Sequence, residues 1–409
     1  IVIPIVIYSG YGCTDPNASN YDPDAIFDNG SCDYDITLSQ GWNWISENDS
    51  NENMSVNNYL NSIGSNGIII KNQTEFSIYV DEEIGWWGLL SEIENNTMYQ
   101  IKMTTDDIIE FTGDPVDPST PIPLSAGWQW VGYLSQVPME INEALASLEP
   151  VLSTNDFIRN RIHSAYYDEA IGWFGFLTQL QPHEGYKIQM ANAGTLIYPE
   201  EPQQIVERVV YGDPRGDVPL TPETETWSFN NHYYEFSGTI TAQVYLNGIL
   251  SVSDDDLLEV EFEGDIVGVT NSKYYPVAGQ NVFMLTLFGN QANGDLYTFK
   301  YYDAETDTVY TLDEEIEFTS NMVTGTPLNP LVLHWYHRGC TDQTALNYNP
   351  EAVLDDNSCV YILGDVDDDG SITVIDLTLI VDIILEEITP TEYQLFAGDF
   401  KQDGTINIL

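Results

Sequence analysis

The chain has 409 residues, of which 65 are acidic and 11 basic, so its formal net charge at pH 7 is −54. That charge repels nucleic acid and anionic lipid and argues against both as partners. Because 43% of the residues are hydrophobic and 12% aromatic, the chain can bury several cores, which excludes simple disorder. The acidity therefore indicates an acidic surface that keeps the protein soluble, as in halophilic or marine proteins, or a set of divalent-cation sites, or both.

The N-terminal residues 1–10 open with an apolar, β-branched run at 1–7. This run lacks the basic flank and the small-residue cleavage site of a signal peptide, so we expect a strand of a mature or trimmed chain. Its exposed edge would be an aggregation hazard, so we expect it to pair within its own sheet or to add to a neighbour's sheet. No run of eighteen apolar residues occurs, and no membrane span is predicted.

Two short segments, residues 11–35 and 338–361, are nearly identical in sequence and predict a repeated module. Each contains two cysteines with 18 residues between them, and these four are all the cysteines of the chain. Pairing within each copy, Cys13 with Cys32 and Cys340 with Cys359, is the natural assignment for modules too small to fold on a core alone. Such disulfides persist in an oxidising compartment, and the alternative is four free buried thiols.

A second duplication relates residues 36–113 to residues 122–200. Segment 38–45 matches 124–131, segment 84–88 matches 171–175, and segment 99–103 matches 186–190. Alternation of the kind seen at Trp42 and Trp44 predicts strands with one buried face, while 57–63 and 142–148 could each form a short helix. A proline-rich linker, 114–123, joins the two Trp-rich repeats.

Tryptophans in these repeats allow two interpretations. Exposed rings could stack on sugars, and the candidates are Trp86, Trp87 and Trp173. The competing interpretation is that a repeated Gly-Trp-Trp-Gly pattern packs the core of a β scaffold.

Residues 203–335 have an all-β pattern. From 236 to 246, apolar residues such as Ile240, Ala242 and Val244 share one parity and hydroxyl or amide residues fill the other, so each strand buries one face. Turn signals at 247–248, 289–290 and 293–294 separate the strands. The segment therefore predicts a β-sandwich of seven or more strands.

The strongest motif is an acidic loop that starts at Asp365. Carboxylates stand at positions 1, 3, 5 and 12 of twelve residues and a glycine stands at position 6, which is the spacing that wraps oxygen ligands around Ca²⁺. A helix is predicted over 377–385, with Leu377, Ile380, Val381 and Ile384 on one face. A second loop starts at Asp399, and the sequence ends before its twelfth position.

Two such loops with their helices resemble type I dockerin, a small calcium-dependent module that docks on cohesins. We expect the module to span 362–409 and to be cut short by the end of the chain. The resemblance implies Ca²⁺ as cofactor, and it places apolar Val374 and Ile375 at loop positions 10 and 11, which dockerins use to recognise partners. Lys401 occupies position 3 of the second loop and offers no ligand there. The implied ligands are Asp365, Asp367, Asp369, the Ser371 carbonyl and Asp376 in the first loop, and Asp399, Asp403 and Thr405 in the second.

The cysteine modules resemble the Gly-Cys-Thr-Asp…Asp-Gly-Ser-Cys repeats of large secreted bacterial surface proteins, which are similar to the calcium-rich type 3 repeats of thrombospondins. This resemblance implies oxygen donors for metal, with plain surface acidity as the alternative. The Trp-rich repeats and the β-sandwich also resemble modules of such proteins, where they stand as spacers or adhesive units. The candidate donors are Asp15, Asp22 and Asp28 in the first copy, and Asp342, Asp355 and Asp356 in the second.

Groups of residues that could form a catalytic site are scarce in the sequence. His163, His183 and His232 have no serine or cysteine nucleophile motif nearby, and coincidence is a better account of the pair His334 and His337 than zinc is. Carboxylates are too abundant for a pair of them to indicate a glycosidase. We therefore predict that the protein is not an enzyme.

Taken together, these patterns predict a multi-domain, mainly β, non-enzymatic protein that is secreted or held at a cell surface. We expect a Ca²⁺-stabilised structural or adhesive role, with copies of itself or other surface proteins as partners, and filaments assembled by strand exchange. The alternative is the glycan-binding, dockerin-anchoring, non-catalytic part of a secreted polysaccharide-degrading assembly.

Overall fold

The computed structural model describes residues 10–14, 21–28, 35–200, 227–343, 345–401 and 404–407, with backbone alone at Tyr11 and Asp28. Strands take 43% of the described residues and helices 10%, which confirms the mainly β prediction. The chain divides into two compact units, Ile1–Val244 with Ser251–Leu333 (unit 1) and Tyr245–Leu250 with His334–Leu409 (unit 2). No helix in the described part is long and apolar enough to cross a membrane. The strand predicted over 1–7 lies outside the described residues.

The first cysteine module contains two short parallel strands, β1 (Tyr11–Gly12) and β2 (Phe27–Asp28). Cys13 takes part in a disulfide, while its predicted partner Cys32 lies outside the described residues.

The strands of the first Trp-rich repeat are β3 (Ile36–Leu38), β4 (Gly41–Ser46), β5 (Asp49–Ser50), β6 (Gly67–Lys71), β7 (Phe76–Asp81), β8 (Gly85–Gly88), β9 (Met98–Met103) and β10 (Asp107–Ile109). Five of them form a sheet in the order β4-β9-β6-β7-β8, and β3 pairs with β10 beside it. Ser55 caps the short helix α1 (Val56–Tyr59) by accepting a hydrogen bond from the Asn58 amide, and a 3-10 turn follows at Gly64–Asn66. The helix is shorter than the predicted 57–63.

From the linker onward the strands are β11 (Asp114–Pro115), β12 (Ile122–Leu124), β13 (Gly127–Gly132), β14 (Met139–Glu140), β15 (Phe157–Arg159), β16 (Ser164–Asp168), β17 (Gly172–Gly175), β18 (Gln179–Leu180), β19 (Gly185–Met190) and β20 (Gly194–Leu196). The sheet of the second Trp-rich repeat has the order β13-β19-β15-β16-β17, which is the order of the first repeat, as the predicted duplication requires. Helix α2 (Ile141–Ala144) and a 3-10 turn at Ala146–Leu148 lie over the segment predicted to be helical.

The β domain that follows begins with a 3-10 turn at Asn231–Tyr233. Its strands are β21 (Phe236–Leu246), β22 (Ile249–Leu250), β23 (Leu257–Phe262), β24 (Asp265–Tyr275), β25 (Gln280–Gly289), β26 (Asn293–Asp303), β27 (Thr308–Thr319), β28 (Val323–Thr324) and β29 (Leu331–Trp335). They are joined in one continuous order, β22-β21-β25-β24-β23-β26-β27. Strand β24 pairs with β23 through residues 265–271 and with β25 through residues 272–275. A strand that changes partner in this way turns a corner of the sheet. The two-layered sandwich itself stays a prediction.

Inside unit 1, buried basic side chains connect the second repeat to the β domain. Arg159 donates hydrogen bonds to the hydroxyls of Ser237 and Thr239 at 3.1 and 3.3 Å. Lys187 Nζ donates to Asn321 Oδ1 at 2.9 Å. Because these donors come from one module and the acceptors from the next, they fix the two modules against each other.

The rings of two tryptophans enclose the same lysine. Lys187 Nζ lies 4.5 Å from the ring centre of Trp44 and 4.6 Å from that of Trp130, and the Arg159 guanidinium lies 5.2 Å from the Trp44 ring. Burial, and then the charge of Arg159, lower the pKa of Lys187 well below its usual value. Tryptophans of both repeats therefore enclose buried basic side chains where the modules of unit 1 meet.

A second buried polar group lies between the two repeats. The Glu47 side chain is buried and its Oε1 accepts hydrogen bonds from the amides of Asn48 and Asp49 at 2.9 and 2.8 Å. Burial raises the pKa of Glu47 to about 8, so this carboxyl is largely protonated at neutral pH.

Raising the pH is therefore expected to destabilise unit 1. A carboxyl whose pKa is raised on folding contributes most stability below its unfolded pKa of 4.5 and loses that contribution as the pH rises through about 8. We expect the free energy of unfolding of the wild type to fall by a few kcal/mol over this range, and Glu47→Gln should make the fall smaller. The exposed Glu82→Gln should leave the fall unchanged. Burial likewise raises the pKa of Glu259, so this carboxyl would account for the pH dependence of stability that remains in Glu47→Gln. Denaturant unfolding followed by tryptophan fluorescence from pH 4.5 to 9 checks this, and identical slopes in the two variants would contradict it.

Unit 2 begins with the second cysteine module. Its strands β30 (Arg338–Gly339) and β31 (Leu354–Asp355) pair in parallel, as in the first module. The disulfide Cys340–Cys359 joins its ends with an S–S distance of 2.02 Å, which confirms the predicted pairing.

Two helices complete unit 2, α3 (Val374–Ile384) and α4 (Glu392–Gly398). The face predicted for the first helix is wrong in part, because Leu377 and Val381 are exposed. The residues that pack inward are Leu379, Ile380 and Ile383, against Val366 and Ala397. The reason is the rotation imposed by Asp376, whose carboxylate has to face the preceding loop.

Candidate metal centre

The acidic loop is joined to helix α3 through the carboxylate of Asp376. Its Oδ2 accepts a hydrogen bond from the Thr373 amide at 2.6 Å, which caps the helix. Its Oδ1 accepts from the amides of Val366 and Asp367 at 2.6 and 3.0 Å, at the start of the loop. These bonds to the charged form lower the pKa of Asp376 to about 2.

The loop brings three carboxylates together. Oxygens of Asp365, Asp367 and Asp369 lie within 4.8 Å of one another. Asp365 is buried, and its two oxygens accept from the amides of Asp369 and Gly370 at 3.1 and 2.8 Å. Gly370 takes φ +84°, a left-handed conformation that suits glycine at the sharp turn. The Asp369 carboxylate accepts from the Ser371 amide at 2.9 Å, so each carboxylate is held in place by backbone.

Electrostatic repulsion within this cluster favours a bound cation. Desolvation, and then the charges of Asp369 and Asp376, raise the pKa of Asp367. Carboxylate oxygens are hard ligands of the kind that Ca²⁺ takes, and a dication would offset their mutual repulsion. The residues present therefore fit a calcium ion. Asp376 and the Ser371 carbonyl are the remaining predicted ligands, and the structure gives Asp376 the further task of holding the loop on its helix.

The second loop repeats this backbone geometry. Asp399 is buried at the end of α4, and its Oδ2 accepts from the Gly404 amide at 2.7 Å, as Asp365 does from Gly370. Gly404 has φ +81°. Thr405 and Lys401 are exposed, while Asp403 lies outside the described residues. The first and sixth positions of the second loop are thus arranged as in the first.

A small shared core holds the two loops together. Val366, Ile383 and Ala397 form it, with Ile406 of the second loop packed against it. The Tyr393 hydroxyl donates to the Asp365 carbonyl at 2.7 Å, so helix α4 contacts the first loop directly. Loss of either loop should therefore loosen the other.

The four predicted carboxylates of the cysteine modules whose side chains the structure describes, Asp22, Asp342, Asp355 and Asp356, do not form such a cluster. Among the described residues, the group that could hold a metal is the one in the first acidic loop. Asp342 accepts a hydrogen bond from the Tyr361 hydroxyl at 2.7 Å, and Asp355 and Asp356 accept from amides of their own turn. Asp22 does the same for the Asp24 amide. Asp15 and the Asp28 side chain lie outside the described residues.

Two of the three candidate sugar-stacking tryptophans are buried. Trp86 and Trp173 pack in the cores of their repeats, so little of either ring is accessible to a ligand. Matching asparagines hold their strands, because Asn57 accepts from the Trp86 amide at 2.6 Å and Asn142 from the Trp173 amide at 2.8 Å. Trp87 is exposed.

The group of possible metal ligands found among the described residues contains no histidine. Burial lowers the pKa of His163 to about 4 and that of His232 to about 4, and His232 Nδ1 lies 2.7 Å from the Trp42 carbonyl oxygen. His334 stacks on the ring of Tyr336, and His337 Nε2 lies 3.1 Å from the amide nitrogen of Asn349.

Comparison with known proteins identifies the C-terminal module. Residues 363–409 match the model of the dockerin type I domain family, which agrees with the two loops and their helices. No curated protein matches the chain. Dockerin domains bind calcium through EF-hand-like loops, and the three clustered aspartates supply such a loop here. The resemblance of the cysteine modules to thrombospondin repeats stays a prediction.

Proposed function

We propose that this protein is a secreted or surface-held, non-catalytic component that is anchored through its C-terminal module to a cohesin-type partner. The match of residues 363–409 to the dockerin type I domain supports an anchoring role. The oxygen cluster supports Ca²⁺ as the ion that folds the module. The buried hydrogen bonds between the second repeat and the β domain fix these modules against each other, which supports a spacer role for them.

The observation that carries the proposal is an exposed apolar stripe along α3. Val374 is 73% exposed, and Leu377, Val381 and Leu385 follow on the same side of the helix. The opposite side already packs into the module, so this stripe serves no internal core. A contiguous apolar surface in a chain of net charge −54 marks an interaction site. Val374 and Ile375 also occupy the loop positions at which type I dockerins recognise their partners.

Binding to purified type I cohesin domains tests the proposal. In the presence of Ca²⁺ we expect saturable binding in a surface plasmon resonance assay, and we expect chelator to abolish it. Leu377→Asp should weaken binding by about 30-fold or more, because it places a charge at the centre of an apolar contact. Val353→Asp, an exposed apolar position of the cysteine module, is the matched control and should bind normally.

A calcium titration by circular dichroism separates recognition from folding. Leu377→Asp should fold with the wild-type calcium dependence, because its side chain is exposed. A module that folds with Ca²⁺ yet binds none of a broad cohesin panel would contradict the proposal, as would binding that is insensitive to Leu377→Asp. Glycan binding and filament formation stay predictions: the segment expected to exchange strands lies outside the described residues.

A further inference from the structure

The second cysteine module continues into the first acidic loop through a very short connection. Three residues separate Tyr361, the last residue of the module, from Asp365, the first residue of the loop. Backbone hydrogen bonds close this connection: the Asp365 amide donates to the Ile362 carbonyl at 3.2 Å, and the Gly364 amide donates to the Ala397 carbonyl of α4 at 2.8 Å. A connection this short and this well hydrogen-bonded leaves the module and the loop little freedom to move independently.

The ring of Tyr361 packs against helix α4. Its centre lies 5.3 Å from that of Tyr393 and 5.2 Å from that of Phe396, and both pairs meet edge to face. Aromatic pairs in this arrangement stabilise a contact beyond the area that they bury. The Tyr393 hydroxyl in turn donates to the carbonyl of Asp365, at the first position of the loop. A side chain of the cysteine module is therefore connected through one residue of α4 to a predicted calcium ligand.

The disulfide holds Tyr361 in this position. Asp342 and Tyr361 lie two residues after Cys340 and Cys359, so the cross-link brings together the two segments that carry them. The Tyr361 hydroxyl donates to Asp342 Oδ2 at 2.7 Å. This hydrogen bond raises the pKa of Tyr361 to about 12, so the hydroxyl remains a donor at neutral pH. The structure thus gives Asp342, a candidate metal donor from the sequence, a contact that positions Tyr361.

The first cysteine module has the same pair of residues in its sequence. Asp15 and Tyr34 lie two residues after Cys13 and Cys32. The pair therefore belongs to the repeated module itself. In the first copy the tyrosine precedes strand β3, whereas in the second it precedes the acidic loop, so the second copy is the one placed to act on the metal centre.

We propose that the second cysteine module is a positioning element of the calcium site. Its disulfide and Asp342 hold Tyr361 against α4, and α4 holds the first loop in the conformation that binds Ca²⁺. Tyr361 is thus a positioning residue that acts through Tyr393. Opening the disulfide therefore weakens calcium binding, and by linkage bound Ca²⁺ opposes reduction of the disulfide. This proposal concerns the calcium site and does not depend on what the C-terminal module docks on.

Calcium titration of the full chain by isothermal titration calorimetry tests the role of the ring. The relevant sites are those that Asp367→Ala weakens. Tyr361→Ala should weaken binding at these sites by about tenfold, because it removes both ring contacts with α4. Tyr361→Phe keeps the ring and loses the bond to Asp342, so we expect it to retain most of the affinity. Tyr348→Ala is the matched control, because Tyr348 lies in the same module and is 37% exposed, and it should leave the affinity unchanged.

A redox titration of the wild-type chain tests the role of the disulfide without any substitution. In mixtures of reduced and oxidised dithiothreitol, each disulfide that opens gains two electrons and two protons while one dithiothreitol becomes its cyclic disulfide. Alkylation and peptide mass analysis give the reduced fraction of Cys340 and Cys359. At saturating Ca²⁺ we expect the equilibrium constant for their reduction to be about tenfold lower than with chelator. The disulfide of Cys13 is the internal control, and Ca²⁺ should leave its reduction unchanged.

Either measurement can overturn the proposal. It is wrong if Tyr361→Ala binds Ca²⁺ as tightly as the wild type, or no more weakly than Tyr348→Ala does. It is also wrong if Ca²⁺ does not shift the reduction of Cys340 and Cys359, or shifts it only as much as that of Cys13. If Tyr361→Ala folds poorly, the redox titration still decides, since it uses the wild-type chain. Both measurements are made without a cohesin, so a failure of the docking proposal would not affect them.

Discussion

Removal of Ca²⁺ is expected to unfold the C-terminal module while the rest of the chain stays folded. Oxygens of Asp365, Asp367 and Asp369 lie within 4.8 Å of one another, and without a dication their repulsion opposes the loop conformation. At a hundredfold excess of calcium over its dissociation constant, binding adds about 2.7 kcal/mol to the stability of the module. A domain with a core as small as that of Val366, Ile383 and Ala397 depends on such a contribution.

Limited proteolysis with and without chelator, with fragments identified by mass, measures this effect. We expect EDTA to expose cleavage sites after residue 363 and to leave unit 1 intact. Asp367→Ala should weaken calcium binding by at least about tenfold. Asp376→Ala should also make the module protease-sensitive, because three backbone amides lose their acceptor.

Asp356→Ala is the matched control for these variants. Asp356 accepts a hydrogen bond from the Ser358 amide within its own turn and lies outside the clustered carboxylates. Its removal should leave calcium affinity and protease resistance unchanged. Equal protection of the module with and without chelator would contradict the assignment of the metal centre.

Local patterns in the sequence were enough to predict the metal centre. Asp365, Asp367 and Asp369 lie within five residues, so loop geometry alone brings them together whatever surrounds the loop. The same holds for Cys340 and Cys359, whose pairing follows from a module with no other cysteine. The two Trp-rich repeats have the same strand order because their sequences are duplicated, and similar patterns of buried residues form sheets of the same order.

Packing between modules could not be predicted from the sequence. Arg159 contacts residues 78 and 80 positions away, and nothing local distinguishes it from a surface arginine. The outward position of Leu377 depends on the capping bond of Asp376, which sets the rotation of α3. The burial of Trp86 and Trp173 agrees with the interpretation that the repeated tryptophans pack the core of a β scaffold. That Trp87 faces outward is evident only from the fold. The scarcity of basic residues is one signal of this packing that the sequence does contain. In so acidic a chain, each basic side chain is expected to have a specific interaction partner.

Arg159→Ala is expected to be among the most destabilising single substitutions in unit 1. The guanidinium is fully buried and donates to the hydroxyls of Ser237 and Thr239 and to the carbonyls of Asn160 and Arg161. Removing it leaves several buried acceptors without donors and a cavity beside the Trp44 ring, which we expect to cost about 3 kcal/mol or more. Burial lowers the pKa of Arg159 to about 9, so the side chain still carries its charge at neutral pH.

The first repeat provides a natural control at the equivalent position. Lys71 ends β6 as Arg159 ends β15, but it is partly exposed and pairs with Glu235 at 2.8 Å. A solvent-accessible ion pair contributes about 1 kcal/mol or less, so Lys71→Ala should have a small effect. Both variants can be compared by denaturant unfolding, because eight of the nine tryptophans lie in unit 1 and report its unfolding.

Hydrogen exchange locates the damage that Arg159→Ala causes. Amides around residues 237–241 of β21 should exchange faster in the variant, because the second repeat no longer holds that strand against it. The small core of the C-terminal module should be unaffected. If Arg159→Ala lowers the free energy of unfolding no more than Lys71→Ala does, the buried basic residues do not hold the modules of unit 1 together, and apolar packing around Phe157, Tyr166 and Phe174 is what joins them.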